Sequence, residues 1–261
     1  MKNKSIYNTI IIGIIICIAH IIITKSFDFE FIFIIGLIVI AYIKLYPKEK
    51  IKASYRQQEI LMPLINSLDI KKTLPESNAL DGFAANPDFL CLLHELIKKN
   101  KPKIIIEAGA GVSTLICGYS LKQFSPDGKV FSLDHDDKFS TIIVDAIEDH
   151  NLNNYAQVIS APLVQHSNKN FQWYDINKIS NVQDIDMLII DGPPANSSKN
   201  ARYPAIPLMI EKLKKGSIII LDDANRKYEK QILNLWKKEY DCFDYNYIAN
   251  SKGACIIKKI K

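Results

Sequence analysis

The sequence predicts an α/β domain built on an open, mostly parallel sheet of seven strands, preceded by a hairpin of two apolar helices. Three observations carry that prediction. From residue 86 onward, short β-branched apolar runs alternate with amphipathic stretches of helical period, the pattern of strands joined by crossover helices. The last two strand-like runs are separated only by residues 250–253, a hairpin-length connection that makes the final strand antiparallel. The first 46 residues are apolar in two blocks, 6–23 and 29–43, split by a polar break at 24–28.

Each apolar block approaches the roughly 20 residues with which a helix crosses a bilayer core, the second if Tyr42, Leu45 and Tyr46 sit at the interface. A cleaved signal peptide does not fit, because Ile22-Ile23-Thr24-Lys25 leads straight into more apolar sequence. A buried hairpin in a soluble protein would need a large core to cover it. The expectation is therefore two transmembrane helices over 1–46, a juxtamembrane helix and connecting loop over 47–85, and the α/β domain over 86–261. Lys2 and Lys4 precede the first block and Lys44, Lys48, Lys50 and Lys52 follow the second, whereas the connection sets Lys25 against Asp28 and Glu30. By the positive-inside rule both termini and the domain face the cytoplasm, giving an integral inner- or plasma-membrane protein.

A chain of 261 residues, 48% of them hydrophobic, suffices for one sizeable α/β domain and an appendage. Much of its net charge of +5 lies at Lys44–Lys52, which suits an anionic lipid surface as partner. No basic stripe interleaved with aromatics argues for nucleic acid. Its five cysteines lack C-x-x-C spacing and read as reduced core residues.

Within the chain, a helix is expected from 53 to 68, interrupted at Pro63, and then a loop over 69–86. Asn86-Pro87-Asp88 opens a helix with a cap and a proline in its first turn, its apolar face formed by Phe89, Leu92, Leu93, Leu96 and Ile97. Strands follow at 103–106, 129–133, 156–160, 185–190 and 217–221, with helices at 114–124, 138–150, 203–214 and 227–239, and closing strands at 243–249 and 254–260. Right-handed crossovers then give a Rossmann-like sheet covered on both faces.

The central stretch is Lys103–Thr114, KIIIEAGAGVST. A buried strand meets Glu107 and then a turn, Gly109-Ala110-Gly111, that opens a helix; small residues let a ligand approach the backbone. A dinucleotide fingerprint would put a third glycine at position 114, but that position is Thr114. Ser113 and Thr114 instead suit a first helical turn, where hydroxyls reach free amides. Glu107 would repel a pyrophosphate and attract an ammonium group. Three further strands end in acids, at Asp134, Asp191 and the pair Asp222-Asp223. In an open α/β sheet such ends converge on one rim, where ligands bind. Arg202 and Arg226, in loops at that rim, are candidates for holding an anionic substrate. His135 and His166 are candidate bases, and Trp173-Tyr174 either lines the pocket or packs on the sheet.

E-x-G-x-G-x-S-T after a strand resembles motif I of the class I S-adenosylmethionine-dependent methyltransferases. Over Asn86–Trp236 the stretches PDFL, IxEAGAGVST, SLDHD, IDMLIIDGPP, ARYPAIPL and LDDANR extend that resemblance to a bacterial group of these enzymes. It implies S-adenosylmethionine as cofactor, its methionine part over Gly109, Ala110 and Gly111, with Ser113 and Thr114 beside them and Glu107 near the ammonium. Asp134, followed by His135, would take the ribose hydroxyls, and Ala161 would border the adenine. Asp191 would lie by the transferring methyl, with Asp222 and Arg202 completing the catalytic set. Asp191, Asp222 and Asp223 also resemble the divalent-metal site of catechol-type O-methyltransferases, suited to magnesium or calcium; the alternative is that these acids act directly as base and acceptors. The expected reaction is methylation of a hydroxyl, or else a nitrogen, of a small-molecule, glycan or lipid-linked acceptor at the membrane. Two readings compete. A nicotinamide-dependent enzyme is disfavoured by Thr114 and the closing hairpin, and a non-catalytic tethered module by the intact acidic rim.

Overall fold

The computed structural model describes residues 2–24, 29–75, 85–166, 171–195 and 197–261. The chain divides into two compact units, Met1–Glu59 and Ile60–Lys261. In the first, α1 (Lys2–Thr24) and the start of α2 (Phe29–Ser67) are antiparallel neighbours. A Cβ on Gly13 would come 2.9 Å from Val39 Cγ2, so the missing side chain lets the helices approach. His20 stacks on Phe31 with ring centroids 3.9 Å apart.

This arrangement corrects the membrane reading. Among the described residues no helix is long and apolar enough to cross a membrane. Nor does α2 stop at an interface: it is one helix of 39 residues that continues through Lys44–Lys52 and past Pro63. The transmembrane hairpin, the membrane partner and the integral-membrane localisation with cytoplasmic termini are overturned by this finding. Pro63 costs one backbone hydrogen bond without ending the helix, which runs on to Ser67.

In the second unit the sheet has seven strands: β1 (Ile104–Ala108), β2 (Lys129–Asp134), β3 (Ala156–Ser160), β6 (Ile185–Ile190), β7 (Leu213–Asp222), β8 (Phe243–Ile248) and β9 (Ala254–Lys259). Their order is β3-β2-β1-β6-β7-β9-β8, and only β9 runs antiparallel to its neighbours, β7 and β8. The order reverses between β1 and β6, which opens a crevice beyond their carboxyl ends. One face is covered by α3 (Pro87–Asn100), α4 (Val112–Phe124) and α5 (Asp137–Asp149), packed around Phe89, Leu93, Leu115 and Ile147. The other packs around Trp173, Ile206, Leu233 and Trp236, with α6 (Ala205–Met209) and α7 (Lys227–Glu239).

Two elements differ from expectation. An antiparallel pair, β4 (Leu163–His166) and β5 (Phe171–Tyr174), lies between β3 and β6 as a separate two-stranded sheet; four residues per strand are too few for period-2 alternation to stand out. The helix expected over 203–214 is only five residues long, followed by a 3₁₀ turn at Ile210–Lys212, and β7 already begins at Leu213. Pro204 and Pro207 confine that helix, since neither can donate a backbone bond.

Candidate active site

The first wall is the turn after β1. Gly109 adopts φ +99°, open to glycine at little cost. Each of its three amides is already bonded within the protein: Gly109 N donates to Leu133 O at 2.9 Å, Ala110 N to Asp134 Oδ2 at 2.8 Å and Gly111 N to Thr114 Oγ1 at 3.1 Å. A pyrophosphate cradle needs such amides free; here they are taken.

Thr114 explains the missing third glycine. Its hydroxyl accepts from Gly111 and donates to Glu107 Oε2 at 2.6 Å, tying the turn to the strand below. Period-2 alternation puts Glu107 on the face of Ile105, beneath α4, and the parallel register sets Ser132 beside it, whose hydroxyl also donates to Oε2. Glu107 is fully buried and absent from the cavity wall. Burial pushes its carboxyl up, and bonds from Ser113, Ser132 and Thr114 pull it back.

Beyond the turn opens a cavity of about 300 Å³. Asp134, at the end of β2, faces it with both oxygens anchored: Oδ2 by Ala110 N, and Oδ1 by Asp136 N at 2.9 Å. Each oxygen keeps a second lone pair for a ligand hydroxyl. Burial raises the Asp134 carboxyl, and those amides oppose the rise. His135 lines the same wall, its ring edge-on to Tyr174 with centroids 5.9 Å apart.

Across the crevice, the loop after β6 presses against the turn after β1. A Cβ on Gly109 would sit 3.3 Å from Gly192 N, and one on Gly192 would sit 2.3 Å from Tyr174 Oη and 3.0 Å from Ala108 O. Only glycine at 192 lets Tyr174 lie against that loop and line the cavity.

The third wall is an ionic hub centred on Arg202. Tyr203 O, next to it, accepts from Trp236 Nε1 at 3.1 Å, which pins the loop before α6 to α7. Arg202 is 3% exposed. Its Nη1 donates to Asp222 O at 2.9 Å, and Nη2 reaches Asp191 O at 2.5 Å, Asp191 Oδ1 at 3.1 Å and Asp223 Oδ2 at 3.1 Å. Glu229, on the first turn of α7, stands 4.0 Å from Nε. Arg226 Nη1 pairs with Asp223 Oδ2 at 2.9 Å.

Crowding of acids sets the proton affinities. Burial pushes Asp191 up to about 6, with the Arg202 guanidinium opposing and Asp223 adding to the rise. Asp222 is pushed up to about 8 by burial and by the neighbouring Asp191 and Asp223. Burial alone would lower Arg202, but Asp191, Asp223, Glu229 and Asp222 more than offset it.

The structure thus gathers Gly109, Ala110, Gly111, Ser113, Asp134, His135, Asp191, Arg202, Asp223 and Arg226 around one cavity. Thr114 and Glu107 brace its first wall from below. Asp222 stands behind Arg202, off the cavity surface. Ala161 is fully buried, its amide donating to Asp134 O at 2.7 Å, and is likewise off the surface. His166 Nε2 lies 3.2 Å from Tyr174 O, and Trp173 is core. Sequence reasoning missed Phe139 and Lys252 as lining residues and Glu229 as a hub member. Glu229 had a visible signal, an acid in a first helical turn; Lys252 had none.

A seven-stranded sheet in this order, with a glycine turn after its first strand and an acid ending the next, defines the Rossmann-like fold of class I methyltransferases. More particularly, residues 106–224 match a family model described as a methyltransferase domain. Among solved structures it is similar to a methyltransferase from Geobacter sulfurreducens (13% identity, TM-score 0.56, covering 76% of this chain and 89% of that one). It is also similar to an O-methyltransferase from Bacillus cereus in complex with SAH (17%, 0.55, 77% and 90%). A third is an O-methyltransferase from Streptomyces achromogenes involved in tomaymycin synthesis, in complex with SAM (11%, 0.54, 78% and 99%). At these identities the likeness is one of fold. No curated protein matches the sequence.

Proposed function

We propose that the protein transfers a methyl group from S-adenosylmethionine to a hydroxyl of a small-molecule acceptor. The observation that carries this reading is the turn at Gly109–Gly111, whose amides are all bonded internally while Asp134 faces the cavity. That combination suits a ribose-bearing cofactor with a cationic head and no phosphate. The same feature counts against a nicotinamide dinucleotide. Glycan or lipid-linked acceptors rested on a membrane anchor and lose their ground with it.

The residues present fit the cofactor: Gly109, Ala110 and Gly111 leave room for a ligand against the backbone, Ser113 and His135 line the wall, and Asp134 keeps lone pairs for hydroxyls. When bound, the cofactor supplies an activated methyl on a sulfonium that leaves as a neutral thioether. Asp191 accepts the acceptor's proton as the new O–C bond forms; with its carboxyl near 6, it is ionised at neutral pH yet basic enough to act. Arg202 holds Asp191 by both its carboxylate and its carbonyl.

A divalent cation does not fit this hub. Asp191, Asp222 and Asp223 each bring an oxygen within 4.8 Å of the others, a donor set that would suit a hard ion. Arg202 already binds Asp191 and Asp223, and Arg226 adds a second guanidinium to Asp223. A metal would have to displace these charges. We therefore expect a chelator to leave turnover unchanged; loss of activity restored by magnesium would put a cation among the acids.

Calorimetry on the full chain tests the cofactor reading. S-adenosylmethionine should bind, and Asp134→Ala should weaken it about a hundredfold, the worth of two hydrogen bonds to a charged acceptor. Tight binding of NADH without binding of the sulfonium would reject the reading.

A further inference from the structure

The turn at 250–253 reaches the site only because β9 is inserted between β7 and β8. The register pairs Asp222 with Ala254, so the residues just before β9 arrive at the carboxyl end of β7, beside the acids. Four bonds hold the turn there. Ala224 N donates to Gly253 O at 2.8 Å and Asn225 N to Lys252 O at 3.1 Å. On the other side, Ser251 N donates to Asp88 Oδ2 at 2.6 Å and Asn86 Nδ2 to Ser251 Oγ at 2.8 Å. Gly253 has φ +76°, and a Cβ there would meet Asn225 Cγ at 2.5 Å, so the close seating depends on glycine.

This mounting presents Lys252 to the cavity wall on the side of Asp191, whose carboxyl its charge helps to hold down. Among the described residues its ammonium has no ion-pair partner. The other two cations of the wall differ: Arg202 is saturated by acids, and Arg226 has one nitrogen on Asp223 while remaining half exposed. Asp191 gives one carboxylate oxygen to Arg202 and, among the described ion pairs, none to Lys252. A part-buried lysine on a turn held by four hydrogen bonds, lining a cavity and without an acid partner among the described residues, is a binding group for an anion supplied by a ligand.

We propose that Lys252, flanked by Arg226, is the oxyanion-binding corner of the acceptor pocket, so that the acceptor carries a carboxylate or phosphate beside the hydroxyl that is methylated. This rests on the methyltransferase reading, in which Asp191 marks where the hydroxyl lies. Lys252 is a binding and specificity residue in it, with no part in the proton transfer.

The test uses the full chain saturated with S-adenosylhomocysteine. Its probes are 3-hydroxybenzoate and 3-hydroxyphenyl phosphate, each compared with the neutral 3-hydroxybenzyl alcohol by titration calorimetry. At least one anionic probe should bind about tenfold tighter than the alcohol, the worth of one charge-assisted contact. Lys252→Met should erase that preference, Lys252→Arg should keep it, and all three proteins should bind S-adenosylhomocysteine equally, which also reports that the variants fold. The proposal is overturned if the wild type prefers neither anion, or if the preference survives in Lys252→Met. It is equally overturned if S-adenosylhomocysteine affinity falls in Lys252→Met, for the anion held would then be the cofactor's own carboxylate. Failure of the wild type to bind S-adenosylhomocysteine would instead sink the methyltransferase reading.

Discussion

Replacing Arg202 by methionine should lower the stability of the domain by about 3–5 kcal/mol, the usual cost of leaving buried charges without their partner. Methionine fills much of the volume, so loss of packing is small and the effect reports on charge. Without the guanidinium, Asp191, Asp223 and Glu229 crowd together around Asp222, with the half-exposed Arg226 and the more distant Lys252 left to answer them. The carbonyls of Asp191 and Asp222 also lose their donors. Lysine should rescue little, because one ammonium cannot reach two carbonyls and two carboxylates that the planar fork meets at once. Chemical denaturation at pH 7 measures the difference; a Tm lower by about 10 °C is the thermal equivalent for a domain of this size. A variant as stable as the wild type would show that the acids do not depend on this residue.

Asp191→Asn should reduce turnover by about 10²–10⁴-fold, the range for a positioned general base, while changing cofactor affinity little. The amide keeps the shape and an acceptor oxygen toward Arg202 but cannot take a proton. The wild-type rate should rise with pH through about 6, as the carboxyl of Asp191 loses its proton. Asp222, pushed up to about 8, still holds its proton at pH 7, so the two carboxyls together carry a single charge there. In Asp191→Asn the limb near pH 6 should vanish. If it persists at full amplitude, another group is the base, and His135, which lines the same cavity, is the first to examine.

Thr114 marks a boundary between what one sequence shows and what it hides. Its mismatch with the dinucleotide fingerprint is visible at once, but what its hydroxyl does is not. Only the register of β1 against β2, which sets Ser132 next to Glu107, turns Thr114 into a brace and takes Glu107 away from the cavity. Expecting Glu107 at the ligand's ammonium treated it as a residue beyond the strand. The strand runs on to Ala108, and its pleat directs the acid under α4.

Strand and helix periods, the acids at strand ends and the glycine turn are local properties, and they settled the α/β class, the seven strands of the main sheet and the rim where Asp134, Asp191 and Asp223 meet. Parallel strands of similar length bring their ends together whatever their partners are, so that rim needs no knowledge of strand order. Strand order, side-chain pairing and loop docking depend on contacts between residues far apart in the chain. The insertion of β9 beside β7, the seating of Lys252 and the choice of Arg202 as the common partner of three acids were decided there. Long-range packing chooses among many arrangements that the same local pattern permits, because each contact depends on which surfaces the rest of the chain has already buried.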